Sequence, residues 1–278
     1  LVSLQGPDVP GFEERYQMLY PFLKPLLRQI WSNAATVIAI SPDQQAMAKR
    51  TLRSLESTVI PNGVDTLRFF PATPAATSSV INILCVGRLI ERKGQHHLIQ
   101  AFAQLHASCP IPTHLTLVGA GDAEQTLRHL ATRLGLTQHV TFTGAVPQEQ
   151  MPAFYQKSHI FVLPSQNEGI SIALLEALAS GLPVIVTRPG VGLSQFRAEE
   201  NGILVPWADI PALTQALSRM VQDEQLCRRM GQQNSELARY FSWPIIAQQY
   251  LDLCTKATRF RGQQFSTYNR EPLTLSKE

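Results

Sequence analysis

Several common signatures are missing from this 278-residue sequence, and each absence argues against a class of protein. The cysteines lie far apart and form no C-x-x-C pair, which argues against a zinc site or a disulfide framework and favours reduced thiols in a cytosolic protein. They are Cys85, Cys109, Cys227 and Cys254. No window approaches the roughly 18 uninterrupted apolar residues that a membrane span needs. A signal-peptide pattern is also missing, and because the first residue is Leu1 rather than Met, we expect the natural start of the chain to be absent.

The charge of the chain is low and scattered. The formal net charge is +3, and the 24 Lys and Arg residues form no basic block, so nucleic acid is not a predicted partner. A weak attraction to an anionic membrane surface stays open, beside the plainer interpretation of an ordinary polar surface. His96 and His97 occur without the Asp, Glu or Cys spacing of a metal site, so we predict no metal and no bound cofactor.

From about residue 81 onward, short β-branched runs alternate with helical patterns. This alternation is typical of a parallel α/β sheet, and the near-continuous apolar runs indicate strands covered by helices on both faces. The predicted strands begin near residues 81, 114, 139, 159, 182 and 202, and the predicted helices span about 94 to 107, 122 to 134, 148 to 157, 171 to 180 and 209 to 221. The predicted fold class is therefore α/β, with a doubly wound parallel six-stranded sheet.

Residues 1 to 65 repeat this pattern on a smaller scale, with strands in LVSLQG, TVIAIS and STVIPNG and helices near 14 to 31 and after Ser41-Pro42. A serine followed by a proline suits a helix N-cap and the first helical residue. Three strands make only part of an α/β domain, and the stretch 64 to 79, rich in Pro, Ser and Thr, is typical of a linker. We therefore predict an incomplete N-terminal α/β portion with its linker at 1–74, a Rossmann-like domain at 75–240, and a C-terminal helix with a polar tail at 241–278.

The two central strands of a doubly wound sheet predict where a ligand binds. In the common strand order 3-2-1-4-5-6, strands 1 and 4 are neighbours, and ligands bind in the crevice outside their carboxyl ends. The loops at these ends are GRLIERKG, at 87 to 94, and PSQNEGIS, at 164 to 171. The topology therefore predicts that Arg88, Arg92 and Lys93 lie opposite Glu168 and the helix that starts near Ser171.

The residues of these loops suit a diphosphate with hydroxyl groups on either side. A helix start offers unpaired N–H groups and the positive end of the helix dipole, and Gly169 lets a ligand approach the backbone closely. Arg88 and Lys93 supply positive charge for phosphate oxygens. Glu176 is predicted to accept hydrogen bonds from ribose hydroxyls, and Glu168 from another polyol. Each of these residues alone is more simply a solvated or structural group, and only their convergence on adjacent loops favours a site.

An ordered series of motifs resembles one enzyme family, the retaining glycosyltransferases of family 4, which have the two-domain GT-B fold. The motifs are VIAISP, VIPNGVD, VGRLIERKG, LVGAGD, FTGAV, NEGISIALLEALASGLPVIVT and FSWPIIAQQY, and the resemblance covers roughly residues 34 to 253. It implies that residues 75–240 bind a nucleotide-diphosphate-sugar donor and that a hexosyl group passes to a glycan or lipid-linked acceptor with retention of configuration. It also implies a metal-independent enzyme of polysaccharide biosynthesis, in the cytoplasm, with peripheral association at the inner face of the membrane.

The resemblance implies a role for each matching residue. Arg88 and Lys93, with Arg92 beside them, match the cations that grip the donor diphosphate. Glu168 and Glu176 match the E-x7-E pair, the first meeting donor sugar hydroxyls and the second the ribose, so that Arg88, Lys93 and Glu168 form the implied catalytic set. The other implied donor-binding positions are Gly87, Val146, Gly169, Ile170, Ser171 and Ile172. Two positions depart from the usual pattern, because Ser171 stands where glycine is common and Ser194 where many relatives carry Glu.

Two other functions stay open on the sequence alone. Glu168 and Glu176 could be the acid and nucleophile of a glycoside hydrolase, whose carboxyl pairs flank a scissile bond at about 5 to 10 Å, although that mechanism needs no diphosphate grip. The chain could instead be a truncated nucleotide-sugar-binding module, inactive alone, because the family's N-terminal glycine-rich loop and its donor-contacting histidine have no counterpart here. Binding of nucleoside diphosphates without transfer would favour the module.

Overall fold

Helices and strands alternate along the computed structural model, which describes residues 1–6, 8–12, 16–72, 80–166, 170–187, 193 and 195–268, with side chains to residue 258. The strands are β1 (Val2–Ser3), β2 (Val37–Ala39), β3 (Ser57–Val59), β4 (Ile81–Val86), β5 (Thr113–Val118), β6 (Val140–Phe142), β7 (Ile160–Leu163), β8 (Val184–Val186) and β9 (Gly202–Leu204). The helices are α1 (Tyr20–Asn33), α2 (Pro42–Thr51), α3 (Gln95–Ser108), α4 (Glu124–Arg133), α5 (Met151–Gln156), α6 (Ile172–Ala179), α7 (Ile210–Gln222), α8 (Glu224–Arg239) and α9 (Trp243–Tyr268). The predicted site residues Glu168 and Gly169, and Ser194, lie outside the described residues.

The larger sheet has six parallel strands in the order β6-β5-β4-β7-β8-β9. In sequence order along this sheet, β4 is strand 1 and β7 is strand 4, so the order is the predicted 3-2-1-4-5-6. The winding reverses between β4 and β7, which pair through Ile83 with Ile160 and Leu84 with Phe161. The predicted fold class, α/β with a doubly wound parallel six-stranded sheet, is confirmed.

The central strands are buried on both faces. Ile83 and Val162 belong to one core cluster, with α3, α4 and α7, whereas the adjacent Leu84 and Phe161 belong to a second cluster with α6. Successive side chains of a strand point to opposite faces, so each strand contributes to two cores. This explains why these segments read as continuous apolar runs rather than as an alternation of apolar and polar residues.

The smaller sheet is also parallel, in the order β1-β2-β3. Helix α2 starts as its sequence predicts, because Ser41 is the N-cap and its Oγ accepts a hydrogen bond from Gln44 N at 3.2 Å. The chain packs as two units, one of Leu1–Pro61 with Pro244–Glu278 and one of Asn62–Trp243. Within the first unit, Ile246 of α9 is buried against Ile38 and Ile60.

Part of the segment predicted as a linker packs into the second unit. Val64 N donates to Phe241 O at 2.8 Å, and the Val64 and Phe69 side chains are buried in the core cluster that contains α6. Residues 73–79 lie outside the described residues.

Two helices differ from the sequence prediction. Helix α1 begins at Tyr20 rather than near residue 14, with proline in its first turn, where the missing N–H costs no helical hydrogen bond. Helix α8 occupies residues to which the sequence analysis assigns no helix. Its Gly231 lies so close to the turn after α6 that a Cβ would overlap Gly181 O, so the residue that weakens the helical pattern is the one that permits close packing.

Candidate donor site

The loops that follow β4 and β7 are in direct contact at the carboxyl edge of the larger sheet. Gln166 N donates a hydrogen bond to Arg92 O at 2.9 Å, which joins the two loops through main-chain atoms. The meeting of these loops, inferred from topology alone, is thus present in the structure. It occurs at the switch point of the sheet, where ligands bind in folds of this class.

Gly94 sets how closely the two loops approach. It has a left-handed conformation, with φ of 70°, and a Cβ at this position would overlap Pro164 O and come within 2.8 Å of the Trp207 ring. Only glycine combines that backbone angle with that contact. On the β4 side, Gln95 Nε2 donates to Arg88 O at 3.0 Å and so ties the loop to the start of α3.

The predicted cations all lie on the β4 loop. Arg88 is exposed, whereas Arg92 and Lys93 are half-buried and belong to the 3-10 helix Glu91–Lys93. Gly87, the predicted donor-binding residue that opens the loop, donates from its N–H to Val118 O at 2.9 Å. Gly119 follows β5 and is small enough to lie against this loop, since a Cβ there would overlap Gly87 O.

Helix α6 follows the β7 loop along the chain, and its first turn contains no acidic residue. The N-cap is Ser171, which is buried and whose Oγ accepts a hydrogen bond from Leu174 N at 3.4 Å. Ile170 is buried in the adjacent core, and Ile172 is 51% exposed. The positive end of the helix dipole is therefore not offset by a carboxylate of its own first turn, which favours binding of an anion at this end.

Glu176 lies on the same helix and is only 4% exposed. Its two carboxylate oxygens have different partners: Gln148 Nε2 donates to Oε1 at 2.7 Å, and the Tyr155 hydroxyl donates to Oε2 at 2.7 Å. Burial raises the pKa of Glu176, and the hydrogen bonds from Tyr155 and Gln148 and the charge of Arg68 oppose that rise. A buried carboxylate with this set of donors is a defined hydrogen-bond acceptor rather than a solvated surface charge.

Tyr155, Gln148 and Arg68 are the residues that sequence reasoning missed around Glu176. Tyr155 lies in the apolar pattern of α5, where an aromatic residue predicts core packing and the direction of its hydroxyl has no sequence signal. Val146, predicted to lie near the nucleobase, is half-buried on the segment between β6 and α5 and packs against the core cluster that contains α6. The segment that carries Val146 and Gln148 thus borders the same helix as the predicted site.

Among the residues that the structure describes, no group of three His, Cys, Asp or Glu side chains could hold a metal ion. Within the same part of the chain, no helix is long and apolar enough to cross a membrane.

Comparison with known proteins assigns the larger unit. The family model described as glycosyl transferases group 1 matches residues 73–237, more than half of the chain. The chain belongs to this family. The resemblance to GT-B glycosyltransferases of family 4 is thereby confirmed.

The relatives and solved structures agree with this assignment. A GDP-mannose-dependent α-(1-6)-phosphatidylinositol monomannoside mannosyltransferase of Mycolicibacterium smegmatis is 32% identical over 240 residues, covering 80% of this chain and 62% of the relative. Sucrose-phosphate synthase from Thermosynechococcus elongatus is 30% identical with a TM-score of 0.74, over 86% of this chain and 62% of that one. HepE of Anabaena, solved with UDP and glucose, shares the fold at 22% identity, with a TM-score of 0.76 over 91% of this chain and 70% of HepE. The chain thus spans 62% of the length of the mycobacterial relative.

Proposed function

We propose that this chain supplies the donor half of a glycosyltransferase, which moves a hexosyl group from a nucleotide-diphosphate sugar to a glycan or lipid-linked acceptor with retention of configuration. The observation that carries the proposal is the contact between the β4 and β7 loops, through Arg92 O and Gln166 N. The β4 loop carries Arg88, Arg92 and Lys93, and the β7 loop leads into α6, which carries the buried Glu176. A diphosphate next to a ribose presents the charge and hydroxyl groups that this arrangement fits.

The catalytic work proposed for this half is electrostatic. As the bond between the anomeric carbon and the diphosphate oxygen breaks, negative charge develops on the departing diphosphate. Arg88 and Lys93, with Arg92 beside them, and the amide groups at the start of α6 stabilise that charge. The acceptor oxygen forms the new bond to the anomeric carbon on the same face, and its proton passes to the departing diphosphate. No metal ion has a part in this scheme.

The remaining contacts extend the proposal to the whole donor. Glu176 accepts hydrogen bonds from ribose hydroxyls, and Val146 lies at the nucleobase. The family motif assigns Glu168 to the donor sugar hydroxyls and Gly169, with Ile170 to Ile172, to the phosphates, although Glu168 and Gly169 lie outside the described residues. The M. smegmatis relative is named as GDP-mannose-dependent and HepE was solved with UDP, so GDP-mannose and UDP-glucose are the first donors to test.

The names of the same relatives support a proposal for the acceptor. The mycobacterial relatives are named for phosphatidylinositol monomannoside as acceptor. Accordingly, we propose a glycan or lipid-linked acceptor reached from the cytoplasm at the inner face of a membrane, with peripheral association only. Among the alternatives, family membership disfavours the glycoside hydrolase, whereas a binding module that is inactive alone is the second candidate because the chain spans 62% of the length of the mycobacterial relative.

Calorimetric titration with UDP, GDP and ADP, followed by transfer assays with the matching nucleotide sugars, tests this function. We expect one diphosphate to bind, and Arg88→Ala and Lys93→Ala each to weaken its binding by about thirtyfold through loss of a charge-assisted hydrogen bond. Arg133→Ala, an exposed arginine at the end of α4, is the matched control and should bind normally.

The outcomes separate the candidates. Transfer that is lost in both cation variants supports the proposal. Diphosphate binding without transfer favours the module, and cleavage of a chromogenic glycoside without nucleotide favours the hydrolase. Near-normal binding and turnover in both Arg88→Ala and Lys93→Ala would refute the assigned roles.

A further inference from the structure

The partners of Glu176 differ in how firmly the fold holds them. We propose that Tyr155 is a positioning residue of the donor site: its hydroxyl fixes Oε2 of Glu176, whereas Gln148 is an exchangeable partner whose place on Oε1 is taken by a ribose hydroxyl of the donor. This inference rests on the proposed function. It adds that the two carboxylate oxygens of Glu176 have different roles, Oε2 being held by the protein and Oε1 being available to the donor.

Tyr155 is a permanent partner because its side chain is fully enclosed. Its exposed fraction is 0%, and its ring packs edge-on against Phe69 at 5.5 Å and near Phe161 at 6.0 Å. The hydroxyl also lies 3.3 Å from Ala173 O, but its shorter contact, 2.7 Å, is with Glu176. Burial and the neighbouring carboxylate raise the pKa of Tyr155 well above its ordinary value, so it keeps its proton and remains a donor at neutral pH.

Gln148 is the opposite case. Its side chain is exposed, on the segment between β6 and α5, and only its amide end reaches Glu176. An exposed amide that leaves a carboxylate regains hydrogen bonds from water, so its replacement costs little. A ribose hydroxyl that takes this place offers Oε1 an O–H donor in exchange for the N–H donor of Gln148.

The main chain of Gln148 is nevertheless held in place. Arg68 Nη2 donates to Gln148 O at 3.2 Å, so the side chain can turn away while the segment stays. Arg68 is fixed in turn, because Asp65 Oδ1 accepts hydrogen bonds from Leu67 N at 3.0 Å and Arg68 N at 3.3 Å. Residues of the stretch predicted as a linker therefore support both partners of Glu176. Arg68 holds the main chain of Gln148, and Phe69 packs against the ring of Tyr155.

The proposal is tested with pairs of nucleotides that differ only in the ribose. The affinity of the chain is measured by calorimetry for the diphosphate that it binds, UDP or GDP, and for the 2′,3′-dideoxy form of that nucleotide. We expect wild type to prefer the ribonucleotide by about tenfold, as one hydrogen bond to a charged group provides. Tyr155→Phe, which removes only the hydroxyl, should lose most of this preference while its affinity for the dideoxy nucleotide changes little.

Gln148→Ala provides the second arm, and because Gln148 is exposed this variant avoids any question of folding. It should keep or increase the preference for ribose, since no amide has to leave. The matched controls are Tyr240→Phe, at an exposed tyrosine of the same unit, and Gln150→Ala, at an exposed glutamine of the same segment, and both should behave as wild type.

The pH dependence gives a readout that a purely structural role of Tyr155 would not change. Binding through the Glu176 carboxylate is lost as the pH falls through its pKa. The Tyr155 hydroxyl lowers that pKa, as does the charge of Arg68, while Cys85 acts on Tyr155 rather than directly on Glu176. In Tyr155→Phe the pKa of Glu176 is therefore higher, and the loss of ribonucleotide affinity should shift to higher pH.

Each result has one meaning. No diphosphate binding by wild type contradicts the proposed function itself. Diphosphate binding without any preference for ribose keeps that function and overturns the role of Glu176 and Tyr155. A full preference in Tyr155→Phe, equal weakening of both nucleotides in that variant, or loss of the preference in Gln148→Ala would each overturn the proposed division between Tyr155 and Gln148.

Discussion

Two helices of this protein, α2 and α6, start in the same way and differ in what their first turns contain. Each follows a parallel strand, and each has a serine N-cap whose Oγ accepts a hydrogen bond from the residue three positions on, Gln44 in α2 and Leu174 in α6. In α2, proline removes one of the unpaired N–H groups, and Asp43 places a carboxylate in the first turn. In α6 the first turn carries neither proline nor an acid.

The difference lies in the charge that each helix start leaves without an acid in its own first turn. Asp43 offsets the positive end of the α2 dipole within the chain, which stabilises the helix. The α6 start has no such acid, and it follows the β7 loop, which is hydrogen-bonded to the loop of Arg88, Arg92 and Lys93. A serine cap therefore identifies a helix start, and the charge of the following residues indicates whether that start is structural or suited to a ligand.

The largest effect should come from separating the β4 loop from the β7 loop, which leads into α6. Gly94→Ala forces a Cβ into Pro164 O at a left-handed position, and we expect the free energy of unfolding to fall by about 3 kcal/mol or more. Gly135→Ala is a matched control, because Gly135 is also left-handed, with φ of 75°, but has open space around its Cβ position. That variant should lose about 1 kcal/mol, and equal losses in urea denaturation would show that the Pro164 contact does not matter.

An intermediate effect should follow from giving α6 the acid that α2 has. Ile172→Asp places a carboxylate next to the proposed diphosphate position, and repulsion of about 2 kcal/mol should weaken nucleoside diphosphate binding by about thirtyfold. Helix stability should not fall, since an acid in the first turn is favourable. The reverse change, Asp43→Ala in α2, should cost about 0.5 kcal/mol of stability and leave nucleotide affinity unchanged. Calorimetry and thermal unfolding measure the two quantities, and unchanged affinity in Ile172→Asp would place the anion elsewhere.

The smallest effect tests the caps themselves. Ser41→Ala and Ser171→Ala should each lower the free energy of unfolding by about 1 kcal/mol, because each removes one capping hydrogen bond. Only Ser171→Ala should also weaken diphosphate binding, by about threefold, as the helix start becomes less well ordered. If Ser41→Ala weakens nucleotide binding as much, the assigned difference between the two starts is wrong.

The sequence was a good guide wherever a residue acts through the local backbone. The Ser41-Pro42 pair predicts the start of α2, and the apolar runs predict the strands of the larger sheet most clearly at β7 and β8, whose residues are all buried. The strand order then followed from a common topology, which was enough to bring Arg92 and Gln166 together.

The sequence was a poor guide where a residue acts through a distant neighbour. Gly231 weakens the helical pattern of α8, and only its close contact with Gly181 explains why glycine is needed there. Phe69 belongs to the stretch predicted as a linker, although it packs on Tyr155. The hydrogen bond from Tyr155 to Glu176 depends on how α5 and α6 are placed. Such contacts produce no periodic pattern in the sequence, since they join single atoms of residues that are far apart along the chain.

Because the β4 and β7 loops are joined through peptide atoms, Gln166 N and Arg92 O, this link does not depend on the side chains of either loop, apart from the room that Gly94 leaves for Pro164. Exposed side chains on these loops can therefore be substituted without breaking the main-chain hydrogen bond between them. If this edge of the sheet binds the proposed donor, such changes can alter which sugar or base is accepted while the approach of the two loops stays the same.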